Sequence, residues 1–325
     1  MSTQLLIVEY SLLFLFFLST TLFFYIVLRR IALHFQEVRF QRQYRTIEKD
    51  ILQLITFPWP ELSAEIARRY ESRSRVLTQV LFDYIERIEG QGTDQLKKVF
   101  DYALKVHCLK DIYSRRLVKR LRATHLFVVF SEPKEAVHIL KLLNDKPLVR
   151  LVAVKALSRI RTPQALSYIF QAFEEDDLVH ARTYINILHG LGKKIEHFVR
   201  LELQKNLPAE KLGLLIELAG AVPLRSLYED IVPFAEHPDK EIRAKVARAL
   251  GNLRIPQSFE LLLTLSCDPA WIVQAQAMKS LGKLDDPRAL RTLADGLFSP
   301  FWHVRYNAGF SLASLGKPGI RPRRA

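Results

Sequence analysis

The stretch KEIRAKVARALGNL, residues 240–253, places Ile242, Val246, Ala249, Leu250 and Leu253 at i, i+4, i+7, i+8 and i+11. That spacing marks one face of a 3.6-residue period, an amphipathic helix. WIVQAQAMKSLGKL at 271–284, WHVRYNAGFSLASLG at 302–316 and PLVRLVAVKALSRI at 147–160 superpose on it without gaps. Carried along the chain, the register runs through Val118, Val149, Val179, Lys211, Ile242, Val273 and Val304 in steps of 30 to 32 residues, with Lys211 as the one break in an apolar series. Prolines keep the same time at 133, 163, 223, 256, 287 and 318, the 60-residue gap holding two repeats.

Each repeat reads as proline, a first apolar stripe, a turn rich in Asp or Pro, and a second amphipathic helix. Leu224, Leu227, Ile231 and Phe234 form the first stripe ahead of the 240–253 helix. Two helices cannot bury both stripes alone, so repeats of this kind stack into a continuous core. Ala153, Ala247, Ala277 and Ala308, with Gly251, Gly282 and Gly316, supply small residues where helices cross or end.

The pattern of proline, helix, Asp-containing turn and V-R-x-x-A-x-x-A-L-G resembles the short HEAT-repeat class first associated with phycobilisome lyases. Residues 223–255, 256–286 and 287–317 match it best, 133–194 well and 195–222 poorly. The resemblance implies a polar ladder between repeats made by the turn Asp and the Arg after it. Asp145 with Arg150, Asp239 with Arg243, and Arg305 hold those places, while His180 and Gln274 stand where Arg is expected. On function the fold is nearly silent.

The N-terminal part differs. From Leu5 to Leu28 the chain carries one charge, Glu9, in twenty-four residues. As a helix this run reaches about 36 Å, enough to cross a hydrocarbon core of about 30 Å. No Lys or Arg precedes it and no small-residue cleavage site follows, so it reads as an anchor and not as a signal peptide. Arg29, Arg30, Arg39, Arg42 and Arg45 follow it, which predicts an outer N-terminus and a body in the cytoplasm, in bacteria beneath the inner membrane. The expected fold class is all-α: one transmembrane helix, then an α-solenoid of HEAT-like helix pairs. Its parts are the anchor at 1–30, a juxtamembrane helix at 31–57 and an irregular helical region at 58–132. Repeats at 133–317 and a basic tail at 318–325 complete it. Within the irregular region, helices are expected near 61–89, 94–108 and 111–130, with GQGT at 90–93 as a loop.

The chain has 325 residues, 48 Lys and Arg against 34 Asp and Glu, a net charge of +14 and two cysteines. This composition excludes a disordered or disulfide-stapled protein. Cys108 and Cys267 belong to no pairing or zinc motif, which fits a reducing compartment. The charge favours anionic partners. No phosphate loop, dinucleotide fingerprint, zinc-protease or nucleophile-elbow motif is present, and no His-Glu dipeptide of the kind that binds iron in HEAT-like lysine-modifying hydroxylases. His180, His189 and His197 are spaced nine and eight apart, and core or solvated histidines account for them. No catalytic residue, metal or cofactor is expected.

Two basic features remain. In the cluster Arg115, Arg116, Lys119, Arg120 and Arg122, at least the first four fall on adjoining parts of an expected helix surface that could hold anionic lipid or an acidic partner. Headgroup attraction is about 1 kcal/mol per basic residue near an anionic surface. Three and six residues after the repeat anchors stand Lys155, Arg182, Lys245, Arg248, Gln276, Lys279 and Asn307, interrupted by Glu217, as a basic wall for an acidic peptide or loop. Either feature can also be read as a solvated helix face. The expected partner is another protein, membrane-bound or membrane-associated, with anionic lipid as a second candidate. Neither nucleic acid nor a small-molecule substrate is expected. The resemblance extends to bacterial HEAT-repeat chains with an N-terminal anchor, which implies a scaffold serving envelope polymer synthesis or export. The rival readings are a lyase-like enzyme or subunit handling a prosthetic group, and a nucleic-acid-binding HEAT-like protein.

Overall fold

No Gly or Pro interrupts residues 3–56, and a single helix of 54 residues forms there, α1 (Thr3–Thr56). The expected anchor and juxtamembrane helix are therefore one continuous rod. Pro58-Trp59-Pro60 ends it. This computed structural model describes residues 3–57, 59–85, 91–176 and 178–315. The basic tail at 318–325, and Gly316, lie outside them. The chain divides into two compact units, one up to Lys119 and one from Arg120 onward. Among the described residues there is no strand.

In the first unit, α2 (Pro60–Tyr70), α3 (Ser74–Ile85), α4 (Gln91–Val99) and α5 (Lys105–Ile112) follow α1. Phe14, Phe16, Phe17, Phe23 and Phe24 of α1 are exposed, and by length and composition the helix is a candidate membrane span. Further on, Ile47, Ile51 and Leu54 are buried as α1 packs against α2, α3 and α4. Asp50 accepts a hydrogen bond from Tyr70 Oη at 2.6 Å, and Glu48 one from Tyr84 Oη at 2.7 Å.

The helix expected over 61–89 is broken by a 3-10 turn at Glu71–Arg73. No Gly or Pro marks it; the turn re-aims the chain so that Ile66 and Tyr70 before it and Leu77 and Val80 after it are all buried. The GQGT loop is also shorter than expected, since Gln91 to Thr93 already belong to α4. A π-turn at Phe100–Leu104 splits the 94–108 helix, adding a residue to the turn while keeping Phe100, Ala103 and Leu104 buried.

The second unit takes up α6 (Leu117–Phe130), then α7 (Ala136–Leu140), α8 (Pro147–Ile160), α9 (Pro163–Glu175), α10 (Leu178–His189), α11 (Glu196–Leu203) and α12 (Ala209–Ala221). It continues with α13 (Tyr228–Ile231), α14 (Lys240–Leu253), α15 (Ser258–Ser266), α16 (Trp271–Leu284), α17 (Ala289–Gly296) and α18 (Trp302–Leu315). The even-numbered helices from α8 on are the second helices of the repeats. They run 12 to 14 residues and stack on one another in order. Among the first helices α9 has 13 residues and the others 4 to 9, and 3-10 turns at Arg225–Leu227 and Val232–Glu236 flank α13. The last second helix, α18, exposes Trp302, Tyr306 and Phe310 at i, i+4 and i+8.

The register needs two corrections. Val149, Ile242, Val273 and Val304 are buried as expected, but Val118 and Val179 are 58% and 85% exposed. In α10 the buried stripe is Ala181, Tyr184, Ile185 and Leu188, so the packed face as a whole sets the phase and a single β-branched residue does not. Lys211, expected to break the pattern, is buried at the anchor position. Its Nζ donates to the carbonyls of Glu174 at 2.7 Å and Asp176 at 2.6 Å, over the Phe173 ring.

Arginine–aspartate rungs tie three of the repeat junctions. Arg120 grips Asp145 with two bonds at 2.5 and 2.8 Å, Arg150 reaches Asp176 at 2.7 Å, and Arg243 grips Asp268 at 2.7 and 2.9 Å. The expected ladder between repeats is present at these junctions, but Arg150 and Arg243 pair with the Asp of the next turn and give their own turns carbonyl contacts. Arg150 donates to the backbone of Asp145, Arg243 to His237 and Pro238, Gln274 to Asp268, and Arg305 to Ser299 and Pro300. Asp239 instead caps α14 through the Glu241 amide. Geometry explains the switch: a long side chain in the first helical turn covers its own turn's carbonyls and still reaches the next repeat.

Successive second helices touch at glycine. A Cβ on Gly220 would lie 2.7 Å from Ala249 Cα, one on Gly251 2.5 Å from Ser280 Cβ, and Gly282 meets Ser311 in the same way. Gly251→Ala should therefore lower unfolding free energy by about 1–3 kcal/mol. Gly190→Ala, where the nearest atom is at 3.4 Å, should be near neutral; urea denaturation of both variants checks this. For the rungs, the Arg120 hydrogen bond lowers the Asp145 pKa. Burial opposes the Asp268 charge, yet Arg243 and the Ala270 amide hold its pKa low too. Both carboxylates are more acidic folded than unfolded, so their contribution is complete above about pH 4 and is lost as pH falls through the folded values. Asp268→Asn should cost about 2 kcal/mol at neutral pH. It should also flatten the acid limb of stability against pH, a change read from urea midpoints across the acid range.

Candidate docking surface

The 31-residue step puts Glu217 of α12, Arg248 of α14 and Lys279 of α16 in one column across three stacked helices. One turn further along, Asn252 and Lys283 form the next column. Arg248 reaches back to Glu217 Oε1 at 3.3 Å and forward to Gln276 Oε1 at 3.4 Å. Lys283 Nζ donates to Asn252 Oδ1 at 2.7 Å. Arg254, at the left-handed end of α14, completes a group of four cations. Among the described residues, Lys279 has no ion-pair partner.

Lys283 is half-buried, and its pKa falls below the ordinary lysine value. Burial is the larger cause, followed by the charges of Lys279, Arg248 and Arg254. Burial and three neighbouring cations thus both oppose the charged form of Lys283.

Of the residues expected in the basic wall, the structure brings Arg248 and Lys279 together. Lys245 is half-buried, its Cδ and Nζ filling the space over Gly213, so it packs more than it presents charge. Asn307 donates to the Ala275 carbonyl and serves as a link between α16 and α18. Lys155 on α8 and Arg182 on α10 are exposed and stand apart from the four-cation group. Sequence reading missed Lys283 and Arg254. Lys283 lies one helical turn beyond Lys279 on the same face and 31 residues after Asn252, a signal that was present.

The second basic cluster is not a single helix surface. Helix α6 begins only at Leu117, and Arg115 and Arg116 lie in the turn before it, where Ser114 Oγ accepts from the Arg116 amide. Lys119 pairs with Asp111, Arg120 is drawn into its rung, and Arg115, Arg116 and Arg122 are exposed.

Other chemistry can be placed as well. Cys108 is buried, and burial with nearby Asp111 pushes its thiol up to about 12; Cys267 is exposed. A shallow cleft lined by Asn144, Arg150, Tyr168, Gln171 and Glu175 holds an arginine already committed to Asp176. Among the described residues, no group of three His, Cys, Asp or Glu side chains could hold a metal ion.

Residues 228–313 match the family of HEAT repeats. No curated protein matches the chain in sequence. Among solved structures, it is similar to the phycocyanin lyase complex of CpcE and CpcF from a Nostoc species. That likeness has 18% identity and a TM-score of 0.34, covering 64% of this chain and 93% of that one. It is also similar to human deoxyhypusine hydroxylase, at 14% identity and a TM-score of 0.31 over 86% of this chain and 98% of that one. A designed armadillo repeat protein shows 15% identity and a TM-score of 0.30 over 64% and 98%. The stacked helix pairs of residues 228–313 are HEAT repeats, set in an all-α solenoid.

Proposed function

We propose that this protein is a non-enzymatic, membrane-tethered scaffold whose HEAT repeats bind another protein. The observation that carries the reading is the group of Arg248, Arg254, Lys279 and Lys283 beside one carboxylate, Glu217, on the exposed face of stacked helices. Repeats of this type offer area and charge, and function lies in what that area captures. The exposed apolar half of α1 supports the tether, and the arginines after Leu28 support a cytoplasmic body under a bacterial inner membrane. Arg115, Arg116 and Arg122 are the residues left to meet anionic headgroups. Anchor and repeats together suit an assembly for envelope polymer synthesis or export.

Three measurements check this. The full chain should stay with the membrane through an alkaline carbonate wash; its release would overturn the tether. Crosslinking in intact membranes should capture a neighbouring protein that Arg248→Glu with Lys279→Glu loses at unchanged melting temperature. Undiminished capture would remove this face as the docking site. A lyase-like enzyme would have to use Cys267, the exposed thiol, which should label with a thiol reagent within minutes while Cys108 labels only on unfolding; Cys267→Ala should leave partner capture unchanged, and loss of capture would favour the enzyme.

A further inference from the structure

We propose that Arg248, Arg254, Lys279 and Lys283 form a seat for an acidic peptide segment of a partner protein, gripped by its carboxylates across α14 and α16. This deepens the scaffold reading and rests on it. The column itself shows the chemistry. Glu217 of the preceding repeat already sets a carboxylate oxygen 3.3 Å from Arg248. One repeat on, Lys279 holds the position after Arg248 and no acidic residue follows it: α18, WHVRYNAGFSLASL, contains none. The column therefore runs from one carboxylate to two successive cations and ends at exposed Phe310, so Lys279 has no acidic neighbour along it. Asn252 accepts one proton of the Lys283 ammonium, which leaves two for a ligand.

The extent of the site selects a peptide. Four cations over two adjacent helices, about 8–10 Å apart, match neighbouring acidic side chains on one short segment. A nucleic acid needs a longer basic track. Here the track is bounded by Glu217 on α12, and on the adjoining column Gln276 and Asn307 are neutral while Lys245 packs over Gly213.

A second property follows. The charged groups around Lys283 are Arg248 and Arg254 from α14 and Lys279 from its own helix. Glu217 of α12 is engaged with Arg248, Lys245 lies earlier on α14, and Arg225 is tied to the Leu253 carbonyl. Asp285 ends α16, and α18 offers no carboxylate. With cations dominant, the empty seat disfavours the protonated form of Lys283, and a bound carboxylate favours it. Binding should then take up protons at pH values between the lowered folded value and the ordinary lysine value. By the same sign, folding is penalised while Lys283 is charged, and the penalty is relieved as pH rises through that window.

The experiment uses the full chain in nanodiscs of zwitterionic lipid and a fluorescent oligoglutamate peptide, followed by anisotropy and by calorimetry in buffers of different ionisation heat. Expected are peptide binding weakened about tenfold by Lys279→Gln and by Lys283→Gln, and a binding heat that varies with the buffer. Lys283→Met should raise the melting temperature of the free protein, abolish the buffer dependence and weaken binding. Lys155→Gln, away from the seat, should leave binding unchanged. Undiminished peptide binding by Lys283→Met and Lys283→Gln would overturn the proposal, as would equal or tighter binding of single-stranded DNA or of anionic-lipid vesicles at the same salt. Loss of oligoglutamate binding with membrane crosslinks intact would remove the seat and leave the scaffold; the reverse would leave the seat and remove the scaffold.

Discussion

Second helices of neighbouring repeats meet with almost no space between them at Gly220, Gly251 and Gly282, where a single added carbon would collide with Ala249, Ser280 and Ser311. This contact must recur every 31 residues, and that requirement decides where every other group on the stack can stand. It holds α12, α14, α16 and α18 in one phase, so residues 31 apart become lateral neighbours. The apolar stripes then bury against the short first helices, and Ala247, Ala277 and Ala308 complete a core with no room for larger side chains.

Packing of this kind is non-directional along the stack, and the rungs supply what it lacks. Arg120, Arg150 and Arg243 each bind their own turn or the next repeat's carboxylate, or both, and Lys211 reaches back to two carbonyls of the preceding repeat's turn. An arginine stripped of its carboxylate would leave a charge in a poorly hydrated turn, so a slip of one residue in the stack is costly. Different side chains fill the same role: Gln274 and Arg305 satisfy only the carbonyls, and the structure accepts both. What repeats is the need of a turn for donors, and the residue type that meets it varies.

The same 31-residue step that builds the core also gathers charge. Because Arg248 and Lys279 are one step apart, and Asn252 and Lys283 are one step apart, stacking turns two separate helical faces into one basic surface. Lys283 bears a cost there that packing alone does not require. Its hydrogen bond to Asn252 links α14 and α16, and the remaining ammonium protons sit among three other cations.

Much was legible beforehand. The periodic stripe at 240–253 and its copies determined the helices, their pairing into repeats and the all-α class, since burial of an amphipathic face admits few alternatives. The apolar run from Leu5 to Leu28 likewise determined a helix long enough to span a bilayer. What the sequence could not decide was anything that depends on which group lies opposite which. Val179 looks like an anchor and faces solvent, while Lys211 looks like a defect and is buried, because the carbonyls that receive its amine come from residues 35 and 37 positions earlier. Arg150 pairs with Asp176 and not with Asp145, and Arg120 leaves a presumed surface patch for a rung, because reach across a repeat boundary is a distance in space. The breaks at Glu71–Arg73 and Phe100–Leu104 carry no Gly or Pro, since they answer to the fit of buried side chains between helices and not to any local preference of the backbone.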